Sequence, residues 1–294
     1  FIESVSPEKS YKEEYYNYLT KGTFTQRLDS FAARSGISRA AAPELAARLR
    51  EELRQSPESG LTRAKLGAAL YMSLDDANAV YQWCACLLDK QPDFLAREQE
   101  AERYFPRNAA DYCKRVQNNE IHAIGGAVVS SLGLEKLQYM DDQAERERND
   151  SLMNIAYGGL VGHFLLRPWI YPVLLDLAFN NPGIVIQRGI ERGKGLTECN
   201  DVNLWIRGAL AYHEVTRVGA GAEWFGVWGR RNEAMIANVV RQIEERRAQS
   251  RETIRALIIV GVSHAGPFIA ELERQAPAYR VRTLSSLPSS GKNP

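Results

Sequence analysis

Leu45, Leu49 and Leu53 recur among alanines and charges between Ala40 and Leu53, the spacing of one face of an amphipathic helix. The same reading predicts helices from Ser6 to Leu19, Leu61 to Met72, Asp75 to Leu88, Asp93 to Phe105 and Asp111 to Leu132. Lys21-Gly22-Thr23, the stretch from Gln55 to Gly60 and Phe105-Pro106-Arg107-Asn108 separate them. Asp75 or Ser73 supplies the cap of the helix through Leu88. Two places break the helical period. Leu137 to Met140 reads as a short strand ending in Asp141-Asp142. Ala256 to Val260 is an unbroken apolar run between Arg255 and Gly261, the pattern of a strand buried on both faces of a parallel sheet. A charged helix from Arg231 to Arg247 precedes that run. A helix from Ala265 to Gln275, opened by Pro267, and a return strand from Tyr279 to Leu284 follow it.

These elements predict an α/β fold: a central mixed, largely parallel sheet flanked by helices, with a large helical insertion over residues 25–132. The whole chain, residues 1–294, reads as one domain. Between Tyr157 and Phe179 lies an apolar run interrupted by His163, Arg167, Pro168 and Pro172. It does not reach the roughly twenty apolar residues of a membrane span. Residues 151–200 are therefore expected to form an apolar helical cover or interface, compatible with a homo-oligomer, and no transmembrane segment is predicted.

Charge narrows the partners. The 37 basic and 36 acidic residues leave a net charge of +1, so no global field selects nucleic acid or an anionic membrane. Cys84, Cys86, Cys113 and Cys199 contain no CxxC spacing. Burial as small hydrophobes is the expected state, and the even count permits disulfides without demanding an oxidising compartment.

Chemistry concentrates after the apolar run. In open α/β sheets the turn at a strand's carboxyl end is where ligand sites form, and here it carries Ser263 and His264. Ser263 can cap the next helix or face a substrate; His264 can pack or act as a base near neutral pH. Asp141 and Asp142, at another strand end, can bind a cation, orient a base or cap a helix. Arg231, Met235, Asn238 and Gln242 recur at helical spacing and share a face. Arg231 offers a planar fork to a carboxylate or oxyanion, or forms an internal salt bridge; Asn232 beside it reads first as scaffold. His122 reads as structural, and His163 and His213 as candidate ligands in positions that are more often structural.

Gly261-Val262-Ser263-His264, together with Trp228-Gly229-Arg230-Arg231-Asn232-Glu233-Ala234-Met235-Ile236-Ala237-Asn238, resembles the carboxyl-terminal half of a known superfamily. Its members include TraB pheromone-shutdown proteins, Tiki proteases, ChaN and erythromycin esterases. Ala79-Val80-Tyr81-Gln82-Trp83 and Leu132 to Asp142 are similar to an uncharacterised bacterial branch of it. The family's first glycine-x-x-histidine turn has no counterpart here. The chain opens on Phe1-Ile2-Glu3-Ser4, similar to the end of the family's second strand, so the resemblance implies a further strand upstream. It also implies a hydrolase of peptide, ester or amide bonds, acting on a small-molecule or peptide substrate. His264, Glu3, Arg231 and Asp142 would be catalytic, and Asn232, Ser263 and Asp141 substrate-binding. A divalent metal such as Mn, Co or Zn would sit on His264 and Glu3. A ligand-binding protein, for haem or another small molecule, and a non-catalytic interaction protein are the alternatives on the same fold. Periplasm and cytoplasm of a bacterium both fit.

Overall fold

A computed structural model describes residues 1–57, 59–88, 98–107, 113, 121–165, 220–250, 253–276 and 278–282. Residues 166–200 of the expected apolar cover, Cys199 and His213 lie outside the described residues. The chain forms two compact units: Phe1–Ala144 with Arg255–Ile259, and Glu145–Ile254 with Val260–Pro294.

Helices dominate the first unit, as the periodicity predicts. After β1 (Ile2–Val5) come α1 (Lys12–Leu19), α2 (Phe24–Ser35), α3 (Ala42–Gln55), α4 (Gly60–Met72), α5 (Asp76–Leu88) and the short α6 (Glu98–Glu102). A single π-helical turn (Ile121–Gly126) runs into α7 (Ala127–Ser131), ahead of β2 (Tyr139–Asp141). Lys21 and Gly22 take positive φ angles of 53° and 81°, the left-handed conformation that lets the chain turn away at the end of α1.

The core of this unit is aromatic. Trp83, 2% exposed, stands 5.6 Å from the Tyr71 ring, 6.0 Å from Phe31 and 6.5 Å from Phe105. Those separations are the usual range of favourable ring pairs. α4 presents Leu66, Ala68, Ala69, Leu70 and Met72 to the interior on several sides. At Gly67 a Cβ would fall 2.4 Å from the Trp83 indole nitrogen. Glycine is therefore what lets α4 and α5 cross this closely.

Cys84 is bonded to Cys113, 29 residues on, with Cα atoms 5.4 Å apart. This corrects the expectation of isolated buried thiols. Cys86 does conform to it: the free thiol is buried and points at the Gly60 carbonyl, 3.3 Å away. Two residues apart on one helix, Cys84 and Cys86 face different neighbours.

The sheet is smaller than the pattern suggests. β1 and β2 pair in parallel, with Ile2 opposite Tyr139 and Val5 opposite Asp141. One more parallel bridge joins Ile2 to Ile259, through the Ile259 amide and the Phe1 carbonyl at 2.9 Å. The predicted interior strand from Ala256 to Val260 is thus reduced to one bridge, and Leu257 is 45% exposed. An apolar run becomes an interior strand only when neighbours cover both edges and both faces; among the described residues β1 alone pairs with it. The return strand is likewise absent over Tyr279–Arg282, which is irregular.

In the second unit α8 (Arg146–Leu165) and α9 (Ala220–Gln249) share a cluster of Leu152, Ala220, Trp224 and Val227. Arg148 pairs with Glu223, and Arg230 with Glu145 at 2.8 Å. α10 (Val262–Gln275) begins three residues earlier than predicted. His264 therefore lies in its first turn rather than in a preceding loop. Pro267 is inside the helix, where its missing N–H leaves the Ser263 carbonyl without the usual helical donor.

Among the described residues no helix is long and apolar enough to cross a membrane.

Candidate functional site

The predicted site residues fall into both units. Glu3, Asp141 and Asp142 belong to the first; Arg231, Asn232, Ser263 and His264 belong to the second.

Glu3 lies within β1 and is half-buried. Asp141 closes β2 and is 4% exposed. Its carboxylate accepts the Asp142 amide and the Gln143 side-chain amide, both at 2.8 Å. Asp142 pairs with Lys9 at 2.9 Å and accepts the Ala144 amide at 3.1 Å. Burial works to raise its pKa, but Lys9 and the Ala144 amide outweigh burial and hold the carboxyl below the usual range. Tyr11 stands over this turn and accepts the Gln143 amide at 3.0 Å. Burial pushes its hydroxyl well above the ordinary tyrosine range. The aspartate pair thus shapes the turn that leads out of β2.

A second polar group in this unit has no counterpart in the sequence reading. Lys12 is fully buried, donates to the Val5 carbonyl at 2.5 Å, pairs with Asp76 at 2.8 Å and lies 4.8 Å from the Tyr139 ring centre. Tyr16 donates to Asp76 at 2.7 Å. Tyr139 donates to Asp75 at 2.5 Å and accepts the first-turn amides of Ala77 and Asn78 at 3.1 and 3.4 Å. The start of α5 is therefore served by a tyrosine on β2, where the sequence suggests Asp75 or Ser73. Burial, then the adjacent aspartates, push both tyrosine hydroxyls up, so they act as donors. The one local trace of this group was Asp75-Asp76 at a helix start, which reads as an ordinary cap.

In the second unit α9 carries Trp224, Trp228, Asn232, Met235, Ile236 and Val239 on its buried side. Asn232 is the polar interruption in that stripe, 3% exposed. Its side-chain N–H donates to the Trp228 carbonyl at 2.8 Å, and its carbonyl oxygen meets His264 Nδ1 at 2.6 Å. Exchanging the amide's oxygen and nitrogen would set its carbonyl against the Trp228 carbonyl. The amide orientation is therefore fixed, and Nδ1 of His264 must donate. In the neutral ring the lone pair then resides on Nε2.

His264 is 4% exposed. Its ring stacks on Trp228 at 5.5 Å and meets Phe268 edge-on at 6.3 Å. The Asn232 hydrogen bond and the two aromatic rings thus contribute to setting the plane, the tautomer and the position of the imidazole. Asn232, expected as scaffold or substrate contact, is the residue that orients the histidine. Arg231 is half-buried one position earlier on α9, and Ser263 lies beside His264 in the first turn of α10. A polar residue inside an apolar helical stripe was the available sign; the partner, 32 residues away, was not legible locally.

Among the described residues no three His, Cys, Asp or Glu side chains gather into a set that could hold a metal ion.

Comparison of the chain with protein families, curated proteins and solved structures finds no match in any of the three.

Proposed function

We propose that the protein is a hydrolase of peptide, ester or amide bonds in which His264 Nε2 is the general base. The observation that supports this reading is the hydrogen bond from Nδ1 to Asn232. It holds the imidazole in the tautomer that leaves Nε2 able to take a proton. The resemblance to the TraB, Tiki and erythromycin-esterase superfamily points the same way. The finer fold belongs to the same proposal: a central, largely parallel sheet ordered β2, β1 and the segment at Ile259. Parallel pairings from Ile2 to both Tyr139 and Ile259 support that order.

In the reaction, Nε2 takes a proton from water as the water oxygen bonds to the substrate carbonyl carbon. The carbonyl oxygen becomes an oxyanion. First-turn N–H groups of α10 other than that of His264, which donates to the Gly261 carbonyl at 2.9 Å, are the class of donor assigned to it. Collapse of the intermediate breaks the bond to the leaving group, which takes the proton back from Nε2. Asn232 receives the Nδ1 proton's hydrogen bond throughout and steadies the imidazolium.

The test is a panel of nitrophenyl esters, anilides and short peptides assayed with and without chelator. His264→Ala is expected to lower turnover by about a hundredfold or more, with circular dichroism and urea midpoint showing a folded chain. Wild-type turnover in His264→Ala overturns the assignment. The same fixed tautomer would also suit a haem ligand. A haem absorbance band that needs His264, with no turnover on the panel, would favour the binding reading.

A further inference from the structure

The helical unit contains a cleft of about 490 Å³ that is remote in sequence from every residue discussed above as catalytic. Part of its lining is apolar. Ile37 and Leu49 are 6% and 3% exposed, Leu45 is half-buried, and the Tyr104 ring completes the wall. Its charged lining is one-sided: Arg48, Lys65 and Arg103 against the single carboxylate of Glu52.

The cations are assembled around one aromatic ring. Lys65 Nζ lies 5.6 Å and Arg103 Cζ 4.7 Å from the Tyr104 ring centre, and Arg103 donates to the Tyr104 hydroxyl at 2.5 Å. Two like charges attracted to one ring create a local positive potential in the lining of the cleft. Their acidic neighbours are distant for ion pairs. Arg48 is 3.6 Å from Glu52 and Lys65 is 3.7 Å from Glu100, whereas Lys9 approaches Asp142 to 2.9 Å. Exposed pairs of that length contribute little, so a bound anion can replace them at small cost. Thr62, in the first turn of α4, adds a hydroxyl to the same wall.

We infer that this cleft binds a small organic anion, a carboxylate or phosphate monoester carried on an apolar body. The apolar part lies on Ile37, Leu45 and Leu49, and the anionic head meets Lys65, Arg103 and Arg48. The volume lies within the usual range of small-molecule sites. Neither an apolar lining alone nor surface cations alone would select this class. Their combination does, because an uncharged analogue gains the apolar lining and leaves the cations unanswered.

The experiment uses the full chain and the fluorescent probe anilinonaphthalene sulfonate, whose rings and sulfonate match the two halves of the cleft. Saturable binding is expected, displaced by hexanoate or hexyl phosphate and not by hexanol. Whichever of the first two displaces more strongly distinguishes a carboxylate from a phosphate ligand. In Lys65→Gln/Arg103→Gln the affinity is expected to fall about tenfold or more, while Arg241→Gln, on an exposed face of α9, leaves it unchanged. Arg48→Gln, whose side chain is 69% exposed, gives a smaller loss and serves as the arm least able to disturb folding. Non-saturable binding, displacement by hexanol equal to that by hexanoate, or wild-type affinity in the charge variants overturns the inference. Hydrolase activity is not read in this experiment, so its outcome is independent of the role of His264.

Discussion

Lys12 and His264 are both buried polar side chains, and they are built on opposite principles. The Lys12 ammonium is enclosed by the Val5 carbonyl, Asp76 and the Tyr139 ring. It lies in a network that continues through Tyr16, Asp75 and Asn78. Each added partner reduces what the charge can do elsewhere. His264 donates from Nδ1 to the Asn232 amide oxygen and packs on the Trp228 and Phe268 rings, which fixes its tautomer with the lone pair on Nε2. A closed network of charges serves architecture, because removing any member strands the others. A ring whose Nδ1 donates presents Nε2 as its acceptor, the arrangement that the proposed proton transfer uses.

The largest effect that can break this contrast is on stability. Lys12→Met is expected to cost about 3–5 kcal/mol, read from urea unfolding, because Asp76 and the Val5 carbonyl lose a buried donor. Adding Asp76→Leu should recover part of that loss. If Lys12→Met unfolds at the wild-type midpoint, the network is not what holds α1 to β1 and α5.

On the His264 side the expected effect is on rate. Asn232→Leu should lower hydrolysis by about a hundredfold. Asn232→Asp should retain much of it and move the acid limb of the pH–rate profile upward. A carboxylate beside Nδ1 raises the pH at which the imidazole loses its proton, and the base works only after that loss. A merely structural Asn232 would leave the limb where it is.

The smallest effect concerns Asp142. Its carboxyl is held below its ordinary value of 3.8 in the folded state. The stability this contributes is present above that value and is lost as the pH falls through the lower, folded-state pKa. Asp142→Asn keeps the Ala144 hydrogen bond and removes only the charge. It is therefore expected to cost about 0.5 kcal/mol near neutral pH, since Lys9 is partly solvated. The difference from wild type should disappear in acid; a constant difference from neutral to acid pH would show that the charge is not the cause.

Features that repeat over a few residues were legible before folding was considered. Leu45, Leu49 and Leu53 mark α3, the apolar runs mark α4 and α5, and Leu137 to Met140 overlaps β2. Lys21-Gly22 ends α1 in the left-handed conformation. Those features depend on spacing and local sterics, which a chain carries with it. The folded chain set the rest. It reduced Ala256–Val260 to a bridge, because a strand's burial depends on neighbours supplied from elsewhere in the chain. It drew His264 into the first turn of α10 and gave it Asn232, joined Cys84 to Cys113, and closed Lys12 and Asp75 beneath Tyr139. Each of these is a pairing between residues far apart in sequence. Its free energy exists only once the backbone brings two side chains within about 3 Å of each other, and no local pattern encodes that distance.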